Sequence, residues 1–169
     1  MKIQVIYGNI VNQFDVEAIV NSANANLRLG SGVAGAIHTA AGPELEAFCK
    51  PFAPIQLGQA LITPGFNLPN AWVIHVRAAH FINDLEPEKY LQESFSSMMQ
   101  VANETGIRSI AIPAIGIGVF KFPPILSASI MAKVLKQHAK EGTTLQLVRI
   151  CVANHEIQKI YESAFYSEI

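Results

Sequence analysis

The residues best placed to do ligand chemistry lie between Val20 and His38. This stretch leaves an apolar segment, crosses a polar loop and enters a Gly-Ser-Gly turn before a segment with apolar residues at helical spacing. The loop contains three asparagines, Asn21, Asn24 and Asn26. A strand–turn–helix junction of this kind presents backbone N–H groups and the positive end of a helix dipole, which favour phosphate. A tight packing corner without a ligand is the alternative that this pattern alone leaves open.

A second glycine loop, Pro113–Phe120, directly follows the apolar run 107–112. The first loop has the spacing of neither a Walker A nor a dinucleotide-binding motif. Both loops leave predicted strands at their carboxyl ends, so a parallel sheet would place them at one edge, where ligands bind. Because lysines and arginines are scarce in both loops, we predict that N–H groups hold the phosphate rather than point charges.

The elements that must position these loops alternate between strand and helix. Hydrophobic patterning predicts strands at 2–7, 16–20, 59–63, 71–76, 107–112 and 145–152, and helices at 33–41, 43–50, 87–106, 124–140 and 155–166. Strands 59–63 and 71–76 are expected to be neighbours joined by a wide turn. Repeated helix–strand alternation predicts an α/β fold with a mostly parallel sheet covered on both faces.

Composition narrows the class of protein. At 169 residues with half of them hydrophobic, we expect one globular domain spanning 1–169. A net charge of −1 gives no general attraction to nucleic acid or to an anionic membrane. The two cysteines, Cys49 and Cys151, are distant in sequence and predict small buried residues in a reducing cytoplasm. No histidine or cysteine spacing predicts a metal site, and no cofactor is expected.

Five blocks of the chain, in the right order, resemble the macrodomain family of ADP-ribose-binding modules. Gly8–Ile10 resembles the family's G-D-I, and Ala18–Asn24 is similar to A-I-V-N-A-A-N. The remaining blocks are Gly30–Val33, Ile62–Val76 and Pro113–Phe120, which are similar to G-G-G-V, I-T-P-G-Y-N-L-P…V-I-H and P-A-I-S-T-G-V-Y. The resemblance covers essentially the full chain and implies a three-layer α/β/α fold with a mixed, mostly parallel central sheet.

The resemblance also implies a cleft for ADP-ribose or an ADP-ribosylated substrate, including ADP-ribosylated proteins. The first loop would wrap the distal ribose and one phosphate through Gly30, Ser31, Gly32 and Val33. The second loop would cradle the diphosphate from Pro113 onward, through the N–H groups of Ile115, Gly116, Ile117, Gly118 and Val119.

Individual side chains take more specific roles by the same resemblance. Asn24 would bond the distal ribose hydroxyls and is the candidate catalytic residue, while Phe120 would cover that ribose. Asn9 and Ile10 would meet the adenine edge, and Asn154 would lie near the adenosine. Asn21 joins the candidate contacts, although satisfying backbone groups at the strand end is the alternative reading of that side chain.

Several positions depart from the family pattern. Asn9 replaces an aspartate, which exchanges a charge-assisted hydrogen bond for a neutral one. Ala153 stands where many members stack an aromatic on adenine, and Gly116-Ile117 replaces a Ser-Thr pair. Ala34 stands where many hydrolases carry an aspartate, and alanine can neither orient water nor act as a base. Three hypotheses follow: hydrolysis of an ADP-ribosyl ester, binding without chemistry, or a macrodomain that now binds another nucleotide or phosphate metabolite.

The remaining polar residues are predicted to be structural. His38 is expected to pack or to lie at the surface, and His75 to be buried and hydrogen-bonded in a strand. His80 and Asp84 are expected to be solvated in a polar loop. Cys49 is expected to be buried, with nothing nearby to lower its pKa.

Overall fold

The computed structural model describes residues 1–166 as a six-stranded sheet between two layers of helices. The strands are β1 (Lys2–Tyr7), β2 (Ala18–Ser22), β3 (Ala60–Pro64), β4 (Trp72–Val76), β5 (Ser109–Pro113) and β6 (Leu147–Val152). The helices are α1 (Gly32–Ala41), α2 (Pro43–Cys49), α3 (Pro87–Thr105), α4 (Pro124–Glu141) and α5 (His155–Tyr166). Every predicted strand and helix is present, and no boundary is shifted by more than two residues.

The strand order explains how the two glycine loops come together. The order across the sheet is β1-β6-β5-β2-β4-β3, and β3 is antiparallel to β4 while the other pairs are parallel. Strands β2 and β5 are direct neighbours, so the loops that follow them emerge side by side at the carboxyl edge. The predicted mixed, mostly parallel sheet and the pairing of β3 with β4 are confirmed.

Two hydrophobic cores, one on each face of the sheet, hold the layers together. One core lies under α3, α4 and α5, and the other lies under α1 and α2. The buried face of α3 consists of Leu91, Phe95, Met98, Met99 and Ala102, which are all fully buried in the first of these cores. The strands β2 and β4 are buried on both faces and mostly apolar, as is typical of parallel strands, with Asn21 and His75 as buried polar residues among them.

Helix α1 approaches the first glycine loop closely because its first turn contains Gly35. A Cβ atom at Gly35 would collide with the carbonyl oxygen of Gly30. Glycine is therefore required here for the loop to fold back onto the helix. Within residues 1–166, no helix is long and apolar enough to cross a membrane.

Candidate functional site

The second glycine loop is held from behind by its carbonyl groups. Ser127 of α4 donates to the Ile115 carbonyl, and its hydroxyl also lies 3.3 Å from the Tyr161 hydroxyl of α5. Phe122 N–H donates to the Gly116 carbonyl at 2.8 Å, and Lys121 N–H donates to the Gly118 carbonyl at 3.0 Å. The loop's carbonyl oxygens therefore point toward the protein.

The N–H groups of the same loop differ from its carbonyl groups in having no partner within the described structure. Among residues 1–166, we find no hydrogen bond donated by the N–H groups of residues 115–119. The N–H groups of residues 30–33, at the turn into α1, likewise have no acceptor in that part of the chain. Because the two loops follow the neighbouring strands β2 and β5, two sets of unpaired N–H donors lie at one sheet edge, an arrangement that suits an anion. The predicted use of backbone donors fits this geometry.

Two glycines keep the space above these donors open. Gly32 has φ +59° and Gly118 has φ +69°, and a Cβ atom added at either would meet no atom within 4 Å. Gly116 differs, because it is buried and a Cβ there would lie 3.1 Å from the Phe122 ring. Gly32 and Gly118 therefore line open space, whereas Gly116 is needed for packing.

Asn24 braces the first loop through its side chain. Its Nδ2 donates to the Arg28 carbonyl at 2.7 Å, and its Oδ1 accepts from the Arg28 N–H at 3.0 Å. Each atom retains one further bonding position, because an amide nitrogen has two hydrogens and its oxygen has two lone pairs. Asn24 is half-buried, so it can hold the loop and still meet a ribose hydroxyl.

The two asparagines predicted at the adenosine end act as caps. Asn9 Oδ1 accepts from the Val11 N–H at 3.1 Å, and Asn154 Oδ1 accepts from the Ile157 N–H at 2.9 Å at the start of α5. Both residues are exposed, so their amide NH₂ groups remain accessible. Ile10 is a core residue, which leaves only its backbone for ligand contact.

The structure corrects the prediction for Asn21. Its side chain is 0% exposed and points into the interior between the sheet and α1, where Nδ2 lies 3.0 Å from His75 Nδ1. It does not reach the surface, and the hydrogen bond that it makes goes to the His75 ring rather than to a backbone group at the strand end. We therefore withdraw Asn21 from the predicted ligand contacts. Pro113 is also buried and, having no N–H, can offer no donor.

Asn21 belongs to a buried hydrogen-bonded chain. Thr63 Oγ1 donates to the Pro64 carbonyl at 3.1 Å, so it must accept from His75 Nε2, 3.0 Å away. His75 therefore carries its proton on Nε2, and Nδ1 accepts from the Asn21 amide; this tautomer is assigned from the network. Burial, and to a smaller extent the neighbouring His38, lower the pKa of His75 to about 3. The predictions that His75 is buried and hydrogen-bonded are confirmed.

His38 and Cys49 complete the interior under α1 and α2. The His38 ring lies 6.3 Å from the His75 ring, both of its nitrogens are buried without a partner among residues 1–166, and burial lowers its pKa. Burial raises the pKa of Cys49 to about 11. The thiol is therefore protonated at neutral pH, which confirms the prediction that it is a packed rather than a reactive cysteine.

The loop between β4 and α3 closes one end of the site. Phe81 N–H donates to the Phe120 carbonyl at 2.8 Å, and the Phe81 ring lies 5.0 Å from that of Phe122. His80 and Asp84 were predicted to be solvated, but both are half-buried and linked, since the His80 N–H donates to Asp84 Oδ2 at 2.7 Å. They order this loop against the second glycine loop.

Sequence reasoning missed Gly35 and the support supplied by Ser127 and Tyr161. Ser127 is a polar residue on an otherwise apolar face of α4, which is the one sequence signal that it has a buried partner. Tyr161 is fully buried, and burial raises its pKa to about 12. Among residues 1–166, no group of three histidine, cysteine or acidic side chains could hold a metal.

Comparison with known proteins places this site in a family. The Macro domain family model matches residues 20–131. A macro domain-containing protein of Lactiplantibacillus plantarum is 37% identical over 166 residues, which is 97% of this chain and 96% of that protein. The chain belongs to the macrodomain family. A second macrodomain relative, O-acetyl-ADP-ribose deacetylase 1 of Pantoea vagans, is 34% identical over 95% of this chain and 96% of its own length.

Solved macrodomain structures share the fold and carry nucleotide ligands. The Oceanobacillus iheyensis macrodomain with ADP superimposes with a TM-score of 0.90 at 28% identity, covering 96% of this chain and 89% of its own. The Trypanosoma brucei macrodomain in complex with ADP-ribose has a TM-score of 0.87 at 28% identity, and the match covers 95% of this chain and 68% of that one. The three-layer α/β/α macrodomain fold predicted from the sequence is confirmed.

Proposed function

We propose that this macrodomain binds the ADP-ribosyl group of a small-molecule or protein conjugate in the cleft between its two glycine loops. The observation that carries the proposal is the pair of unpaired N–H sets at residues 30–33 and 115–119, facing open space above Gly32 and Gly118. Such donors suit a diphosphate because they surround it without large positive charges. The ADP and ADP-ribose bound to related macrodomains support the same ligand class.

We further propose that the bound conjugate is an ester and that water hydrolyses it with help from the substrate. Neither loop contains an aspartate or glutamate, since residues 23–34 and 113–123 have none. Asp84 is engaged by His80, and Glu86 lies 3.8 Å from Lys89. A general base from the protein is therefore not available in the loops. Asn24 and Phe120 would fix the ribose, and a phosphate oxygen of the ligand would orient the water that attacks the acyl carbon and would accept its proton. As the acyl C–O bond breaks, that proton would pass to the departing ribose oxygen, which leaves a free hydroxyl and the carboxylic acid.

Binding without chemistry is the second candidate function, and Ala34 favours it. Ala34 is buried in the first turn of α1, so its methyl group contributes packing only. A reader, meaning a module that binds ADP-ribosylated proteins without cleaving them, would need the same N–H donors and the same ribose pocket. The two functions are distinguished by product formation, because a reader binds O-acetyl-ADP-ribose and releases it unchanged.

The binding proposal is tested with a matched pair of glycine variants. Gly32→Glu places a carboxylate in the phosphate path, and Gly106→Glu introduces the same side chain at a helix end, at φ +76° and with the same open surroundings. Gly106 precedes β5, so it lies at the opposite edge of the sheet. Calorimetric titration with ADP-ribose should show binding lost in Gly32→Glu and retained in Gly106→Glu. Equal binding by wild type and Gly32→Glu would refute the assigned cleft.

A further inference from the structure

The peptide group between Ile115 and Gly116 is paired on one side and unpaired on the other. Its carbonyl accepts from the Ser127 hydroxyl of α4. This peptide is trans, so its N–H points in the opposite direction from its carbonyl, away from Ser127. Gly116 is buried, and its N–H has no acceptor within residues 1–166. Because buried N–H groups are almost always paired in folded proteins, this donor indicates a partner from outside the chain.

The Ser127 hydroxyl is committed to the loop rather than to its own helix. A serine inside a helix commonly donates to the carbonyl four residues earlier, which here belongs to Pro123. The Ser127 hydroxyl instead reaches Ile115, 12 positions away in the chain. A carbonyl can only accept, so the one hydrogen of this hydroxyl lies in the bond to Ile115. Ser127 is fully buried, so bulk water does not compete for that hydrogen.

Tyr161 of α5 adds a second hydroxyl to this arrangement. Its oxygen lies 3.3 Å from Ser127 Oγ. Because the Ser127 hydrogen points at Ile115, Tyr161 is the donor in this pair. Burial raises the pKa of Tyr161 to about 12, so the phenol keeps its proton at neutral pH. The Tyr161 hydroxyl, the Ser127 hydroxyl and the Ile115–Gly116 peptide therefore form a relay of hydrogen bonds that all point in one direction.

We propose that Tyr161 and Ser127 are positioning residues that strengthen the Gly116 N–H as a donor to a phosphate of the ligand. Hydrogen bonds in a chain polarise one another by about 10–30% per bond. Electron density drawn toward the Ile115 oxygen leaves the Gly116 hydrogen more positive. Residues 113–120 contain no lysine or arginine, so the affinity of this loop for phosphate depends on how strongly its N–H groups donate.

The relay rests on the proposed function, because it needs a phosphate at the second glycine loop. Its test therefore uses two ligands, ADP-ribose and inorganic pyrophosphate, which is a diphosphate without base or ribose. Tyr161→Phe removes the outer hydroxyl but keeps the ring and the bond from Ser127 to Ile115. Calorimetry should show both ligands binding about threefold more weakly, which is the scale of losing part of one charge-assisted hydrogen bond.

Two further variants frame this result. Ser127→Ala also removes the bond to Ile115, so it should weaken both ligands about tenfold. Tyr166→Phe is the matched control, because it is the same substitution on the same helix. The Tyr166 hydroxyl accepts from the Val5 N–H of β1 at 2.7 Å and does not contact the loop. This variant should bind both ligands like the wild type.

The amide resonance of Gly116 separates polarisation from mechanical support. In ¹⁵N–¹H spectra of the unliganded proteins, the Gly116 proton should move upfield in Tyr161→Phe and further in Ser127→Ala, because a less polarised N–H is more shielded. Tyr166→Phe should leave it in place. If the two hydroxyls only supported the loop, Tyr161→Phe would change neither this resonance nor the affinities, since Ser127 still holds Ile115. That result would overturn the relay.

The outcomes also separate the relay from the proposed function. Wild-type affinity for both ligands in Tyr161→Phe would overturn the relay and leave the proposed function intact. If the wild type binds pyrophosphate but not ADP-ribose, the proposed function fails, and the Tyr161→Phe titration with pyrophosphate decides the relay. If it binds only ADP-ribose, that ligand decides it. A wild type that binds neither would refute both, because the Gly116 N–H would then have no phosphate to bind.

Discussion

Acid should destabilise this protein through His75, and a His75→Gln variant should remove most of that effect. Glutamine offers an oxygen that can accept from the Asn21 amide and an NH₂ group that can donate to Thr63. It therefore keeps the donor-to-acceptor direction of the buried hydrogen bonds. It does not titrate. The variant is expected to be less stable at neutral pH because its shape differs from that of imidazole, but its stability should depend less on pH.

The size of the effect follows from the change in pKa on folding. The pKa of His75 falls from 6.5 to about 3 because the ring is buried beside His38. Below pH 6.5 the unfolded chain binds a proton that the folded protein excludes until about pH 3, so stability is lost as pH falls through this window. At pH 5, 1.5 units below 6.5, the loss is about 2 kcal/mol at ~1.36 kcal/mol per unit.

Urea unfolding at pH 7 and pH 5 measures this loss. The change in unfolding free energy between the two pH values should be about 2 kcal/mol larger in wild type than in His75→Gln. Contributions from the carboxylates are common to both proteins and cancel in the difference. The same pH dependence in both proteins would refute the burial of a neutral His75.

Three further substitutions test the cleft. Asn24→Ala removes both side-chain hydrogen bonds to Arg28. We expect product analysis to show that ester hydrolysis is abolished and calorimetry to show weaker ADP-ribose binding; full turnover would exclude Asn24 from the site. Ala34→Asp places a carboxylate at the first turn of α1, where the helix dipole favours it. The variant should hydrolyse O-acetyl-ADP-ribose faster than wild type, as measured by mass spectrometry of the products, whereas no gain would favour binding without chemistry. Asn9→Asp keeps the capping acceptor for the Val11 N–H and adds a negative charge. The preference for adenosine over other nucleosides should increase by about tenfold or less, which is the scale of one charge-assisted hydrogen bond. An unchanged preference would remove Asn9 from base recognition.

The sequence predicted well those features that depend on neighbours along the chain. The continuous apolar run of β2, the glycine turn and the helical spacing of α1 are all local, and the structure reproduces them at Ala18–Ser22 and Gly32–Ala41. The carboxyl-edge rule for parallel strands was enough to bring the two glycine loops together.

What the sequence left open depends on contacts between distant residues. Asn21 and His75 are 54 positions apart, and only the register of β2 with β4 shows that their side chains meet inside the protein. Asn21 occurs in a motif with Asn24, yet alternation along a strand and its loop sends the two side chains to different environments. The stacked rings of Tyr7 and His155, 4.5 Å apart between centroids, join the two ends of the chain and have no local signature.

Titration of the wild-type protein with ADP-ribose, with AMP and ADP as controls, tests the central claim most directly. Two sets of backbone donors around a diphosphate and a braced Asn24 at the ribose predict low-micromolar binding of ADP-ribose, about −8 kcal/mol. AMP, which lacks both the second phosphate and the distal ribose, should bind far more weakly, and ADP should fall between them. The absence of ADP-ribose binding, or equal affinity for AMP and ADP-ribose, would contradict the assignment of this cleft to the ADP-ribosyl group.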